Sequence, residues 1–312
     1  MAALSPRAGA RESRGRRWFV TLIPYVLLSL AVLSWAGNWV IGRAMRHDIG
    51  PVAMGFWRWL LALVLILPFC GHELATKWQV VRRNWWRLTV LGTLGAVAFN
   101  TMVYVGLQYT ETTNSTLFNS IVPIYIVVIS WLVFGERITL RQGSGIALSL
   151  SGVLVIMSRG DPVSLAGLRV NTGDIWIVTA MLLWAVYTIL LRWRPRELSA
   201  SAFLGAMLLL SLPILIPFYA WELHQRGTFE LTPPIIATLA YYATVPSLLA
   251  YLLWNRGVAE VGPNRAGLIV HLLPIFTVAL SVVFLGEQLF LFHYVGAACV
   301  FGGIGLATKA SV

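Results

Sequence analysis

A chain of 312 residues that is 58% hydrophobic and only 11% charged, with mean hydropathy +0.77, has too little polar side chain to cover a water-soluble core. Its net charge of +11 would suit a nucleic-acid surface in a soluble protein. Here the basic residues divide unevenly between alternate loops, which is the signature of membrane topology instead.

After a basic tail over 1–18, ten apolar runs follow: Thr21 to Ala44, Val52 to Cys70, Leu88 to Gln108, Ser115 to Phe134, Gly143 to Met157, Ile175 to Leu191, Ala200 to Ala220, Ile235 to Val258, Ala266 to Leu285 and Phe292 to Thr308. Each is near the ~20 apolar residues that cross ~30 Å of hydrocarbon, the fifth and tenth being short and rich in small residues that permit close packing. The tail imitates a secretory signal, but the run behind it is too long and has no small-residue cleavage pattern, so it reads as an uncleaved first span. Backbone groups in lipid must be bonded within the segment, and runs this long without alternation make helices rather than barrel strands. The longest loops are Gly71 to Arg87, Ser158 to Asp174 and Trp221 to Pro234, which leaves no room for a soluble domain. With the N-terminus cytoplasmic, 17 Lys and Arg fall on that face and 5 on the other, Arg58 lying within a span. Both termini are therefore expected inside. Cys70 and Cys299 share no motif and read as packing residues.

The segment Asn119 to Arg137, NSIVPIYIVVISWLVFGER, returns at Val270 to Gln288 as VHLLPIFTVALSVVFLGEQ. An offset of 151 carries Pro123 to Pro274, Gly135-Glu136 to Gly286-Glu287, Gly106 to Gly257, Gly145 to Gly296 and Gly152 to Gly303. The repeats are 19–158 and 174–308, five spans each, within one compact transmembrane domain. An odd number of spans makes the second repeat enter from the opposite face, the inverted duplication of alternating-access carriers. The first and sixth spans align at an offset of 149, Trp35 with Trp184, Asn38 with Tyr187 and Arg43 with Arg192.

Ten helices in two inverted five-helix halves, a tryptophan in each first helix, Pro123 and Pro274, and a Gly-Glu closing each fourth helix resemble the EamA-type branch of the drug/metabolite transporter superfamily. Within that branch the aromatic-rich chain looks most like the YddG-type exporters of aromatic amino acids. The resemblance implies a multi-pass protein of the bacterial inner membrane that exports small metabolites. It implies an all-α membrane fold, a monomer in the lipid bilayer, and neither cofactor nor metal. The small four-helix multidrug relatives carry a glutamate in the first helix, where this chain has Ser34, Trp35 and Asn38; that departure argues against proton-coupled drug extrusion.

Proline lacks an amide hydrogen, so Pro123 frees the carbonyl of Asn119 and Pro274 that of Val270, near mid-membrane in both repeats. Matched discontinuities point to a binding cavity, and the bland alternative is a kink repaired by Ser120 or a neighbour. Asn100 and Tyr104 share a helix face, and the offset of 151 sets Tyr251 and Asn255 at the same positions with the two types exchanged. These four suit an amphiphilic ligand, or else bond helix to helix at roughly 0.6 kcal/mol each. Trp35, Asn38 and Trp39 form one face of the first span, answered by Trp184, Tyr187 and Thr188 on the sixth. His271, three residues before Pro274, is a titratable candidate, its alternative being a neutral imidazole bonded to a freed carbonyl. Arg58 is expected to be structural, reaching outward or pairing with Asp48.

The expected site is thus Trp35, Asn38, Trp39, Asn100, Tyr104, Asn119, Trp184, Tyr187, Tyr251, Asn255 and His271, with Pro123 and Pro274 as hinges, and a small-molecule substrate such as an amino acid as ligand. All 12 acidic residues lie in loops or at span ends, so the absence of a midplane carboxylate favours facilitated transport. A proton-coupled multidrug or metabolite permease is the alternative. A polytopic enzyme would need a nucleophile with a base, a metal cluster or paired carboxylates, and the five His are scattered. A receptor or interaction protein would leave the inverted repeats unexplained.

Overall fold

The computed structural model describes residues 22–38, 41, 45–110, 112–161, 163, 171–285 and 288–308. Nine helices in it are long and apolar enough to cross a membrane, and a shorter apolar helix precedes them. In chain order they are α1 Leu22–Asn38, α2 Pro51–Thr76, α3 Trp85–Tyr109, α4 Leu117–Phe134 and α5 Leu140–Met157 in the first half. The second half has α6 Thr172–Trp193, α7 Ala200–Arg226, α8 Pro233–Val261, α9 Pro263–Phe284 and α10 Leu291–Thr308. The protein is thus an all-helical, ten-helix membrane protein, as the hydropathy runs predict.

Several helices start before the apolar runs do, because their capping residues are polar. Thr139 and Gln142 form a reciprocal capping box at the start of α5, Asn171 and Asp174 another at α6, and the Ser199 hydroxyl accepts from the Ala202 amide at α7. Apolarity marks where lipid or core begins, whereas the backbone donors must be satisfied one turn earlier. Gly135 closes α4 at φ 67°, a left-handed C-cap. The repeat partner Gly286-Glu287 and Trp39 lie outside the described residues.

The pseudo-symmetry is visible in the close contacts. A Cβ on Gly106 of α3 would meet Ile177 and the Gly173 carbonyl of α6, and one on Gly257 of α8 would meet Leu28 and the Pro24 carbonyl of α1. The offset of 149 turns Leu28 and Pro24 into Ile177 and Gly173. Each half therefore lays its third helix against the first helix of the other half. α5 and α10 pack through Gly145 against Gly303 and Gly152 against Gly296, where a Cβ would come within 2.4–2.7 Å of the facing carbonyl. Small residues at these crossings allow backbone contact without a hydrophobic driving force.

Two kinds of helix defect recur at repeat-related positions. α4 and α9 are interrupted where the prolines predict: Thr112–Asn119 ends before a new helix opens at Val122 with Pro123 in its first turn, and α9 tightens to a 3₁₀ turn at Val270–Leu272. Less expected, α3 and α8 widen into π-helical turns at Thr93–Ala98 and Ala243–Leu249, which the offset of 151 superimposes. Such turns leave backbone carbonyls without an intrahelical donor and concentrate at functional sites.

Candidate functional site

Carbonyls of both π turns accept from side chains. The Tyr251 hydroxyl donates to Gly95 O, and Trp59 Nε1 to Ala96 O at 3.1 Å. In the other half Trp35 Nε1 (2.9 Å) and Arg58 Nη2 (3.0 Å) both donate to Pro246 O. Gly95 and Pro246 are repeat equivalents, and each carbonyl accepts from a side chain of the other half, Tyr251 for Gly95 and Trp35 and Arg58 for Pro246.

Arg58 is the centre of this cluster. It sits two turns into α2, roughly 10 Å from its start at 1.5 Å per residue, and its side chain is 1% exposed. Nε donates to Ser247 Oγ at 2.6 Å, and Nη1 reaches Asn38 Oδ1 at 3.0 Å, Asn100 Oδ1 at 2.8 Å and the Tyr104 hydroxyl at 2.7 Å. Its guanidinium lies 5.0 Å from the Trp59 ring centroid and 5.4 Å from that of Tyr242. The expected reach towards Asp48 is therefore corrected: α2 turns Arg58 inward, where neutral oxygens from both halves receive it. Distance from the helix end told how deep Arg58 lies but not which way it faces.

Beside the guanidinium lies a cavity of ≈30 Å³ lined by Trp35, Asn38, Arg58, Asn100, Asn119, Trp184 and Tyr251, closed below by Phe99, Val270 and Leu273. The break residue Asn119 and its repeat equivalent Val270 both reach it. The aromatic walls are mutually braced, Trp35 edge-on to Trp184 at 5.0 Å and Trp184 edge-on to Tyr251 at 5.5 Å between centroids. A space this size holds about one water, well short of the ~300 Å³ of the smallest ligand pockets. In this structure the cavity is closed down to less than a ligand's volume.

The remaining expected residues are placed as follows. Tyr104 stands behind Arg58 and stacks on Tyr242. Tyr187 and Asn255 meet each other, hydroxyl to Oδ1 at 2.7 Å, on the α6–α8 contact beyond Tyr251, and Asn255 Nδ2 has no partner among the described residues. The exchanged pairs are joined at the centre by Asn100 Nδ2 donating to the Tyr251 hydroxyl at 3.2 Å. His271 is fully buried between Ser149 Oγ at 2.7 Å and the carbonyl of its repeat equivalent Ser120 at 3.1 Å, away from the cavity wall. The cavity was expected from the first, third, fourth, sixth, eighth and ninth spans; α2 joins them through Arg58. Among the described residues no group of three or more His, Cys, Asp or Glu is placed to hold a metal ion.

Paired helix breaks, paired π turns and a small cavity that mixes aromatic rings with amides and Arg58 fit a membrane transporter. Comparison with known proteins agrees: the EamA-like transporter family model matches residues 22–158 and again 171–309, so the chain belongs to that family. The uncharacterized transporter YetK of Bacillus subtilis is 30% identical over 293 residues, covering 90% of this chain and 85% of its own. A probable terminal-alkyne amino-acid exporter of Streptantibioticus cattleyicolor is 23% identical over 295 residues, 91% and 93% of the two chains. A solved crystal structure superposes with a TM-score of 0.73 over 91% of this chain and 96% of that one, at 17% identity, and shows the same fold. Membership in a transporter family answers the enzyme alternative.

Proposed function

We propose that this protein exports small amphiphilic metabolites, aromatic and other neutral amino acids among them, across the bacterial inner membrane by alternating access and without ion coupling. The observation that carries the reading is the cavity itself: its lining combines the rings of Trp35, Trp184 and Tyr251 with the amides of Asn38, Asn100 and Asn119, and includes Asn119 and Val270 from both helix breaks. Rings supply apolar contact and amides orient polar groups, the division of labour expected for an amphiphilic ligand. The relative from Streptantibioticus that is named an amino-acid exporter supports the substrate class, as does the likeness to YddG-type exporters. Both termini face the cytoplasm in this reading, and the carrier works as a monomer.

Coupling is argued from charge. The buried acids Asp174 and Glu222 are tied down at helix starts, Asp174 to Thr110 and Asn171, Glu222 to the amides of Val52 and Ala53 at the head of α2. Neither reaches the cavity wall. Counterflow in proteoliposomes tests the proposal: labelled phenylalanine should exchange down its own gradient with no imposed proton or sodium gradient. Concentrative uptake that requires a pH gradient and survives His271→Ala would replace it with the proton-coupled permease. A cysteine introduced in 71–87 that reacts with an impermeant reagent from outside intact cells would overturn the orientation.

A further inference from the structure

Arg58 is buried in the membrane interior, and none of the four ion pairs among the described residues involves it. A desolvated guanidinium, always charged and met among the described residues by neutral oxygens and ring faces rather than a carboxylate, favours an anion beside it. The bonding is also oversubscribed. Nη1 has two N–H groups for three acceptors, Asn38, Asn100 and Tyr104, while Nη2 has two N–H groups and one acceptor among the described residues, Pro246 O. A ligand oxygen can thus take the spare N–H of Nη2, and a second can displace one acceptor from Nη1 without stranding a donor. The Tyr104 hydroxyl would keep its bond to Asn38 Oδ1, 3.2 Å away. The repeat makes the charge singular: the offset of 149 that sets Pro68 on Pro217 sets Arg58 on Met207, a fully buried apolar residue.

We infer that Arg58 is the anion-binding residue of the transport site, taking the substrate's carboxylate on its Nη1–Nη2 edge while the Trp35, Trp184 and Tyr251 rings receive its apolar body. This deepens the proposed function and rests on it. It also supplies a trigger. In this structure Arg58 ties α2 to α1 and α3 of its own half and to the α8 π turn of the other, through Asn38, Asn100 and Tyr104 on one side and Ser247 and Pro246 on the other. A carboxylate that displaces one Nη1 acceptor loosens the tie of α2 to α1 or α3 at the moment the cavity fills, while Ser247 and Pro246 keep theirs, so binding and rearrangement share one group.

The test is a competition series on the full chain in proteoliposomes, with labelled phenylalanine exchange as readout and three unlabelled competitors. Phenylalanine and 3-phenylpropionate, which carry a carboxylate, should compete; phenylalaninamide, with the ammonium but no carboxylate, should compete roughly 10- to 100-fold more weakly, the loss expected for a charge-assisted hydrogen bond. Arg58→Gln should lose phenylalanine affinity by a similar factor and no longer distinguish acid from amide, and Arg58→Lys should restore part of the distinction. Equal competition by acid and amide in the wild type overturns the inference while leaving the exporter standing, and so does undiminished phenylalanine affinity in Arg58→Gln. Absence of exchange with every carboxylate overturns both. Should Arg58→Gln fail to fold, the wild-type series decides alone.

Discussion

At the scale of single residues, the polar groups of the membrane interior divide into those that face the cavity and those that bond helices together. Asn255 is a sharp case because Oδ1 accepts from Tyr187 while Nδ2 is left over. Because Asn255 bonds Tyr187 and does not line the cavity, we expect Asn255→Ala to leave counterflow largely intact while moving the detergent melting temperature by only a few degrees, as an intramembrane hydrogen bond averages ~0.6 kcal/mol; abolished counterflow at wild-type abundance would give Asn255 a transport role instead. His271 differs, since it links α9 to α5 and α4 through Ser149 and the Ser120 carbonyl. His271→Ala should lower stability by roughly 1–3 kcal/mol through unsatisfied partners. Its exchange activity, followed from pH 5.5 to 7.5 in liposomes, should keep the wild-type profile. A flattened profile would give His271 a transport role. Tyr251 is less suited to truncation: it is 1% exposed and packed among Trp35, Trp59, Trp184 and Tyr187. Removing its ring would leave a cavity on the scale of ~3–5 kcal/mol.

At the scale of elements, the proposed alternating access divides the helices between moving parts and frame. α3, α4, α8 and α9 carry the π turns and breaks, so their halves can tilt about matched points, whereas α5 and α10 are uninterrupted and meet backbone to backbone. The glycine crossing is what makes them a frame. Gly303→Val would drive a side chain into the Gly145 carbonyl, 2.4 Å from the new Cβ, and into Ser149. We expect a loss of roughly 1–3 kcal/mol, the usual scale of overpacking, read as a lower melting temperature. Gly305, whose Cβ would meet nothing within 4 Å, should accept alanine without effect and serves as the control. The small-residue pattern of these two helices was legible in the sequence because interhelical closeness in lipid requires it along a contiguous face. The π turn of α3 was not, because TLGAVA contains no residue that demands it; its widened backbone is stabilised by Trp59 and Tyr251 from other helices.

At the scale of the whole molecule, the two halves are tied at the end of the bundle opposite the α2 start as well as at the cavity. Glu136, just past α4, accepts from Arg192 of α6 at 3.1 Å and from Asn264 of α9 at 3.2 Å, and Arg192 lies 3.7 Å from the Phe134 ring centroid. Glu136, half of the Gly-Glu pair that closes the fourth helix, thus also latches one half to the other. Arg192 and Glu136 are about a third exposed, so the pair contributes at most ~1 kcal/mol. Arg192→Gln should therefore shift the closed-to-open balance by up to ~5-fold. A cysteine at Asn119 would report this as faster modification from the Glu136 side, less so at high salt; unchanged rates would show that the latch carries no closure. What the sequence determined by itself was the number of helices, the duplication, the sites of both proline breaks and the family, because each rests on residues near in sequence or on a fixed offset that the bilayer's uniform demands preserve. What only the tertiary structure decided was the facing of Arg58, the capture of the π-turn carbonyls and the closure of the cavity. These depend on how α2 is rotated against helices whose contributing residues lie 20 to 189 positions away, and a lone arginine in an apolar run has the same local pattern whether it turns to lipid headgroups or to the core.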